Sequence, residues 1–127
     1  MTYINQLVTQ LLRECEQEGH VELWSIIWVV RYTLNGNDYP KEDRSDPIEV
    51  RRITLAIVRS MLESGKIQIG SLSDDGTKLQ AWPTTIGEAI KRISAKWDSL
   101  GHEPDMESNA VILFPLGQRE NTVVSSQ

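Results

Sequence analysis

The sequence predicts an α+β fold in which a layer of helices packs against a small antiparallel sheet. Four stretches of the 127-residue chain have helical apolar spacing, two short segments flank an Asp-Asp-Gly turn, and a wholly apolar pentapeptide follows the last helix. The predicted order is three N-terminal helices, a β-hairpin, a fourth helix and a short final strand. We expect residues 1–116 to form a single domain and the polar residues 117–127 to form a disordered tail.

The first two helices differ in their apolar pattern. In residues 4–18 the apolar side chains form one stripe, and Gly19 is suited to end the helix. Residues 21–34 are apolar nearly all round, which predicts a helix at the centre of the fold with Trp24 and Trp28 in its core. The β-branched residues of this stretch leave a strand as the alternative, although its length favours a helix.

The third helix has a well-defined start after a loop. Residues 35–46 contain Gly, Pro and many small polar residues, which predicts the loop. Asp46 can cap the following helix, Pro47 suits its first position, and Glu49 can reach back to the cap. We expect the helix to span residues 47–64.

A β-hairpin is predicted directly after this helix. The segment KIQIGSL alternates apolar and polar residues, and a turn at Asp74, Asp75 and Gly76 separates it from the segment TKLQAW. Trp82 ends the second strand, where it either pins the hairpin to the last helix or is an exposed contact residue. Tryptophan is enriched at the energetic centres of protein interfaces, so the second alternative stays open.

The last helix and strand complete the predicted sheet. Thr85 and Glu88 form a capping box, and the helix that follows carries Trp97 on its apolar face and stops at Gly101. The segment AVILF at 110–114 is short and wholly apolar. It predicts a strand that adds to the hairpin.

The composition limits the classes of partner and the compartment. The chain has 18 acidic and 13 basic residues and a net charge of −5, so its average field repels polyanions and attracts basic partners. The single cysteine, Cys15, excludes an internal disulfide and favours a reducing compartment. With neither a secretory signal nor an apolar stretch long enough to cross a bilayer, the sequence predicts a soluble cytoplasmic protein.

No set of residues has the spacing of a catalytic or metal site. His20 and His102 each follow a helix-ending glycine, where a structural role or simple exposure explains them. Cys15 continues an apolar stripe instead of forming an activated pair with His20. The carboxylate clusters lack the spacing of a calcium loop. We therefore predict a non-enzymatic protein that needs neither a cofactor nor a metal.

A helix followed by a β-hairpin is how a winged-helix domain ends, and many such domains bind DNA. The sequence therefore predicts a winged-helix-like shape, with a DNA-binding transcriptional regulator as the alternative function. The loop before the helix is about three times as long as a helix-turn-helix turn. The hairpin tip is acidic, as is the chain as a whole, and both oppose phosphate binding. The candidate DNA-binding residues of this alternative are Arg51, Arg52 and Arg59.

Residues 61–105 carry a recurrent pattern: a helix, L-x-x-G-x-I-x-x-G-x-L, an Asp-Gly turn, W-P, and a second helix with A-x-x-R-I-x-x-x-W-x-x-L-G-x-x-P. This pattern resembles a group of small uncharacterised bacterial proteins, covers about a third of the chain, and implies a common winged-helix-like fold without an activity. The matching residues are Leu62, Gly65, Ile67, Gly70, Leu72, Asp75, Gly76, Trp82, Pro83, Ala89, Arg92, Ile93, Trp97, Leu100, Gly101 and Pro104.

Small acidic cytosolic proteins also resemble the immunity proteins of bacterial toxin systems, which neutralise a cognate nuclease by masking it. This likeness rests on size, charge and the lack of catalytic motifs. Our hypothesis is a protein-binding module for a basic partner, in its sharpest form a toxin domain. Acidic residues would steer the encounter and an aromatic anchor would then be buried. In the alternative, the acids only keep the protein soluble. The predicted partner-binding residues are Asp74, Asp75, Trp82, Asp98, Glu103, Asp105 and Glu107.

Overall fold

The secondary structure confirms the predicted α+β class. The computed structural model describes residues 2–36, 45–73, 75–106 and 111–116. Within these ranges there are four helices and a four-stranded antiparallel sheet. The elements are α1 (Thr2–Glu18), β1 (Val21–Glu22), α2 (Leu23–Leu34), α3 (Pro47–Glu63), β2 (Ile67–Leu72), β3 (Leu79–Ala81), α4 (Ile86–Leu100) and β4 (Ile112–Pro115).

The strands lie in the order β1-β4-β2-β3. β4 is an inner strand, because its Leu113 faces Val21 of β1 on one side and Ile69 of β2 on the other. β2 and β3 form the predicted hairpin, with Leu72 opposite Leu79. The final strand therefore joins the N-terminal part of the chain to the hairpin.

A close approach between β2 and β3 requires glycine at position 70. Gly70 pairs with Ala81 of β3 and with Ile112 of β4, so it lies in the interior of the sheet. A Cβ atom at this position would lie 2.1 Å from the carbonyl oxygen of Gln80. The hairpin thus leaves no room for a side chain here, which explains a residue type that is otherwise unfavourable inside a strand.

The helices cover one face of the sheet, and α3 is the helix most enclosed by its neighbours. It packs against α1, α2, α4 and β2. The sheet contributes Val21, Ile69 and Leu113 to this core. The opposite face of the sheet carries a separate small cluster of Leu72, Leu79, Ile112 and Phe114. The buried residues of α3 are Val50, Ile53, Thr54, Ile57, Val58, Met61 and Leu62.

The predicted caps of α3 and α4 are confirmed by their hydrogen bonds, but the expectation that Glu49 reaches back to Asp46 is wrong, because its carboxylate accepts from Arg52 instead. The Asp46 carboxylate accepts from the backbone N–H of Ile48 at 3.0 Å, and proline occupies the first turn of α3. Thr85 and Glu88 exchange the two bonds of a capping box at the start of α4. Gly101 ends α4 with a φ of 72°, a left-handed conformation that favours glycine.

Two expectations for residues 21–34 are wrong. Residues 21–22 form β1 instead of the first turn of a helix, because they pair with β4, and Leu23 donates its backbone N–H to Val111 at 3.1 Å. Trp28 is 59% exposed instead of lying in the core. α2 enters the core with one fully buried stripe, and Val29 and Leu34 pack against that core while partly exposed. That stripe consists of Leu23, Ile26, Ile27 and Val30.

Some predictions fall outside the residues that the structure describes. They concern most of the loop at 35–46, the first residue of the strand at 110–114, and the tail at 117–127. Two of the predicted partner-binding residues, Asp74 and Glu107, also lie outside them.

Candidate protein-binding surface

Three aromatic residues form a row on the outward side of α2. Trp24, Trp28 and Tyr32 are four positions apart, so they lie on the same side of the helix. Trp28 is 59% exposed, while the other two side chains are partly buried. We define these three residues as the aromatic row. Such rings offer a large contact area and lose little conformational freedom on binding.

Glu22 holds the N-terminal end of the aromatic row in place. Its carboxylate accepts a hydrogen bond from Trp24 Nε1, and its Oε1 lies 3.1 Å from His20 Nε2. Ser25 donates its hydroxyl to the Glu22 carbonyl at 2.9 Å. These bonds fix the Trp24 ring at the junction of β1 and α2.

An ion pair places the aromatic row beside an acidic segment, which we define as Asp98, Glu103 and Asp105. Arg31, less than one helical turn beyond Trp28, donates from Nε to Glu103 Oε2 at 3.2 Å, and its Nη2 contacts Oε1 of the same carboxylate. The contact is therefore bidentate, the geometry in which arginine and carboxylate groups orient each other best. It brings the chain after α4 next to the outward side of α2.

Asp98 lies at a contact between α3 and α4. Arg51 of α3 donates from Nη1 to Asp98 Oδ1 at 2.7 Å and from Nη2 to the Ser94 carbonyl at 3.2 Å. Its guanidinium carbon lies 5.2 Å from the centre of the Trp97 ring. The hydrogen bond from Arg51, followed by its positive charge, lowers the pKa of Asp98.

Two members of the acidic segment, Asp98 and Asp105, are largely exposed, although each has a nitrogen-bearing side chain beside it. His102 Nδ1 lies 3.9 Å from Asp105 Oδ2. The side chains of Asp98, Glu103 and Asp105 are 69%, 32% and 55% exposed, respectively. The exposed contacts of Asp98 and Asp105 are weak and screened by salt, so a partner can replace them. The half-buried, bidentate pair between Arg31 and Glu103 instead holds the segment in place.

Asp75 organises the hairpin turn. Its Oδ1 accepts hydrogen bonds from the Ser73 hydroxyl at 2.6 Å, the Thr77 hydroxyl at 2.7 Å and the Thr77 backbone N–H at 3.1 Å. These bonds, led by those from the two hydroxyls, lower the pKa of Asp75 from 3.8 to about 2. The carboxylate therefore has a local structural role, whatever else it contacts.

Trp82 pins the hairpin to α4, which is the first of the two alternatives that the sequence left open. Its side chain is 7% exposed, and its Nε1 donates to the Ser71 hydroxyl at 3.2 Å. Arg92 of α4 covers the ring, with the guanidinium carbon 4.1 Å from its centre. The buried indole is not available as an exposed anchor.

The three arginines of the DNA-binding alternative all contact carboxylates. Arg51 holds Asp98, as described above, Arg52 Nε donates to Glu49, and Arg59 Nη1 lies 4.0 Å from Glu63. The hydrogen bond from Arg52 lowers the pKa of Glu49. Arg52 and Arg59 are about half exposed, so these carboxylates compete with a phosphate for the arginines without excluding it.

The described residues provide little for chemistry. They contain no group of three or more His, Cys, Asp or Glu side chains that could hold a metal ion. Cys15 is fully buried and donates to the Leu113 carbonyl at 3.5 Å; burial, aided by the charge of Glu14, raises its pKa to about 11. None of the helices in these ranges is long and apolar enough to cross a membrane.

Comparisons with family models, curated proteins and solved structures find no match to this chain. The surface must therefore be interpreted from its own geometry. Sequence reasoning missed Trp28, the most exposed tryptophan, because it placed the whole of residues 21–34 in the core. The available signal was the polar character of Ser25 and Arg31, which mark the outward side of α2.

Proposed function

We propose that this chain is a non-enzymatic protein-binding module whose partner is a basic protein. In its sharpest form, it is an immunity protein that neutralises a nuclease-like bacterial toxin by masking it. The observation that carries the proposal is the 59% exposure of Trp28 within the aromatic row. Few residue types contribute as much to a protein interface as an accessible tryptophan.

The surroundings of Trp28 support a basic partner. The acidic segment borders the aromatic row through the ion pair between Arg31 and Glu103. An apolar centre with a polar, charged edge is the usual layout of a protein interface. The net charge of −5 would accelerate encounter with a positively charged surface, and Trp28 would then be buried against it.

The proposal is tested with the protein encoded next to this chain's gene, the expected position of a cognate toxin. The two proteins are purified separately, and both complex formation and nuclease inhibition are measured. We expect a stable complex that inhibits the nuclease. Trp28→Ala should weaken the complex by about 30-fold or more, which corresponds to the roughly 2 kcal/mol lost at an interface hot spot.

A matched control is available outside the helices. Leu116, directly after β4, is 53% exposed, and Leu116→Ala removes a comparably accessible apolar side chain from a surface formed with α1 and β2, without residues of α2 or the acidic segment. This variant should bind and inhibit like the wild type. Equal binding by wild type and Trp28→Ala would remove the aromatic row from the interface. A basic neighbour that does not bind at all would contradict the immunity function.

The alternative is a winged-helix DNA-binding regulator. It is favoured by the exposure of Arg52 and Arg59 on one side of α3, directly before the hairpin. Titration of duplex DNA at several salt concentrations tests it, because contacts to phosphates make affinity fall steeply with salt. We expect no binding even at low salt. Salt-sensitive binding that Arg52→Gln and Arg59→Gln abolish would support the regulator instead.

A further inference from the structure

A groove separate from the aromatic row lies between α1 and the ends of β2 and β4. Its volume is about 630 Å³, within the range of small-molecule pockets. Leu12 of α1, Ile67 of β2, Pro115 of β4 and the following Leu116 form its apolar lining. Leu116 is 53% exposed, so part of this apolar surface is open to solvent.

Two cationic residues from different elements line the same groove. Arg13 comes from α1, and Lys66 immediately precedes β2. Among the described residues, the side chain of Arg13 has no hydrogen bond, ion pair or ring contact, and this distinguishes it from the other arginines there, each of which contacts a carboxylate or an indole. Those engaged arginines are Arg31, Arg51, Arg52, Arg59 and Arg92.

The groove thus combines an apolar lining with a guanidinium that the fold does not use. Its one acidic lining residue, Glu16, lies three positions after Arg13 without forming an ion pair with it. The guanidinium fork matches a carboxylate in shape and charge, and Lys66 adds a second positive charge. A ligand that satisfies both parts of the groove has an alkyl chain and one anionic carboxylate.

We propose that this groove binds a free alkyl carboxylate, with the chain on the apolar lining and the carboxylate on Arg13 and Lys66. Binding involves no covalent step. The site is independent of the partner proposed for the aromatic row, since none of its lining residues belongs to α2 or to the acidic segment.

Isothermal titration with sodium decanoate below its micelle concentration tests the proposal on the full chain. Saturable binding with one site is expected, and Arg13→Gln should weaken it by about tenfold, the loss expected for a charge-assisted contact. Glu16→Gln should strengthen binding, because it removes a negative charge from the groove. These residues are exposed, and circular dichroism would verify that each variant is folded.

Two controls separate the proposed site from unspecific binding. Lys91→Gln removes an exposed cation from α4, outside the groove, and should leave decanoate affinity unchanged. Decan-1-ol has the same chain without the charge and should bind at least tenfold more weakly. The proposal is overturned if decanoate does not saturate, if decanol binds equally well, or if Lys91→Gln and Arg13→Gln have the same effect. Dimerisation that Arg13→Gln abolishes would assign the groove to a second copy and also overturn it.

Discussion

Trp82 and Trp28 show how the same side chain serves two purposes in one small protein. Trp82 lies between the hairpin and α4, with its N–H bonded to Ser71 and its ring under Arg92. Trp28 lies on the outward side of α2 and is eight times as exposed, at 59% against 7%. The two residues are of the same type, so the difference in exposure comes from the elements that pack around each indole. Trp82 belongs to the stability of the fold, whereas we assign Trp28 to a partner.

The largest expected effect comes from truncating the two tryptophans in turn. Trp82→Ala removes a buried ring and should lower the free energy of unfolding by about 3–5 kcal/mol. Trp28→Ala should change it by no more than about 0.5 kcal/mol, because the side chain is mostly in water. Urea denaturation of both variants measures the difference. A comparable loss for both would break the distinction between them.

Gly70 tests how tightly the hairpin that carries Trp82 is packed. Gly70→Ala places a Cβ atom against the Gln80 carbonyl. It should lower the free energy of unfolding by about 1–3 kcal/mol or more, as overpacking does in other protein interiors. Thermal unfolding followed by circular dichroism measures it. Gly87→Ala is the control, because a Cβ atom there meets nothing within 4 Å. If Gly70→Ala unfolds at the same temperature as the wild type, β2 and β3 can move apart without a loss of stability.

Two threonines test whether burial or hydrogen bonding decides how a polar side chain affects the free energy of unfolding. Thr54 is fully buried, and its hydroxyl has no hydrogen-bond partner among the described residues. Thr54→Val should therefore raise the free energy of unfolding by about 1 kcal/mol. Thr85 is exposed but caps α4, so Thr85→Val should lower it by about 1 kcal/mol. A stability loss in Thr54→Val would show that its hydroxyl is hydrogen-bonded after all.

The smallest expected effect concerns Asp75, an exposed group that serves the fold. Its pKa is about 2 when folded, below its ordinary value of 3.8, so the unfolded chain binds protons more readily. Its contribution to stability is fully present above pH 4 and is lost as the pH falls towards 2. Urea denaturation between pH 2 and 5 should show a shallower acid decline for Asp75→Asn than for wild type. If stability falls equally with pH in both proteins, the Asp75 carboxylate does not accept the hydrogen bonds described for the turn.

The sequence was sufficient to predict the elements that have strong local signals. Asp46 with Pro47, and Thr85 with Glu88, marked the starts of α3 and α4 because capping depends on neighbouring residues alone. The hairpin was also predicted from alternation and its turn. Local chemistry determines these features, so no knowledge of the rest of the fold was needed.

The exposure of individual side chains could not be predicted in the same way. An all-apolar pattern over residues 21–34 does not reveal that α3 is the more enclosed helix or that Val21 pairs with Leu113. The ion pair between Arg31 and Glu103 joins residues 72 positions apart. The acidic segment was therefore predicted without its neighbour, and the aromatic row beside it was missed.

The position of β4 in the sheet has a consequence for synthesis on the ribosome. This strand lies between β1 and β2, yet residues 112–115 are translated after every other element described. Until they leave the exit tunnel, β1 has no strand to pair with and the Cys15 thiol lacks the Leu113 carbonyl. The N-terminal helices must therefore emerge with part of their apolar surface uncovered. The sheet can be completed only after β4 has emerged, and pairing across such long sequence separations is a feature that slows folding in general.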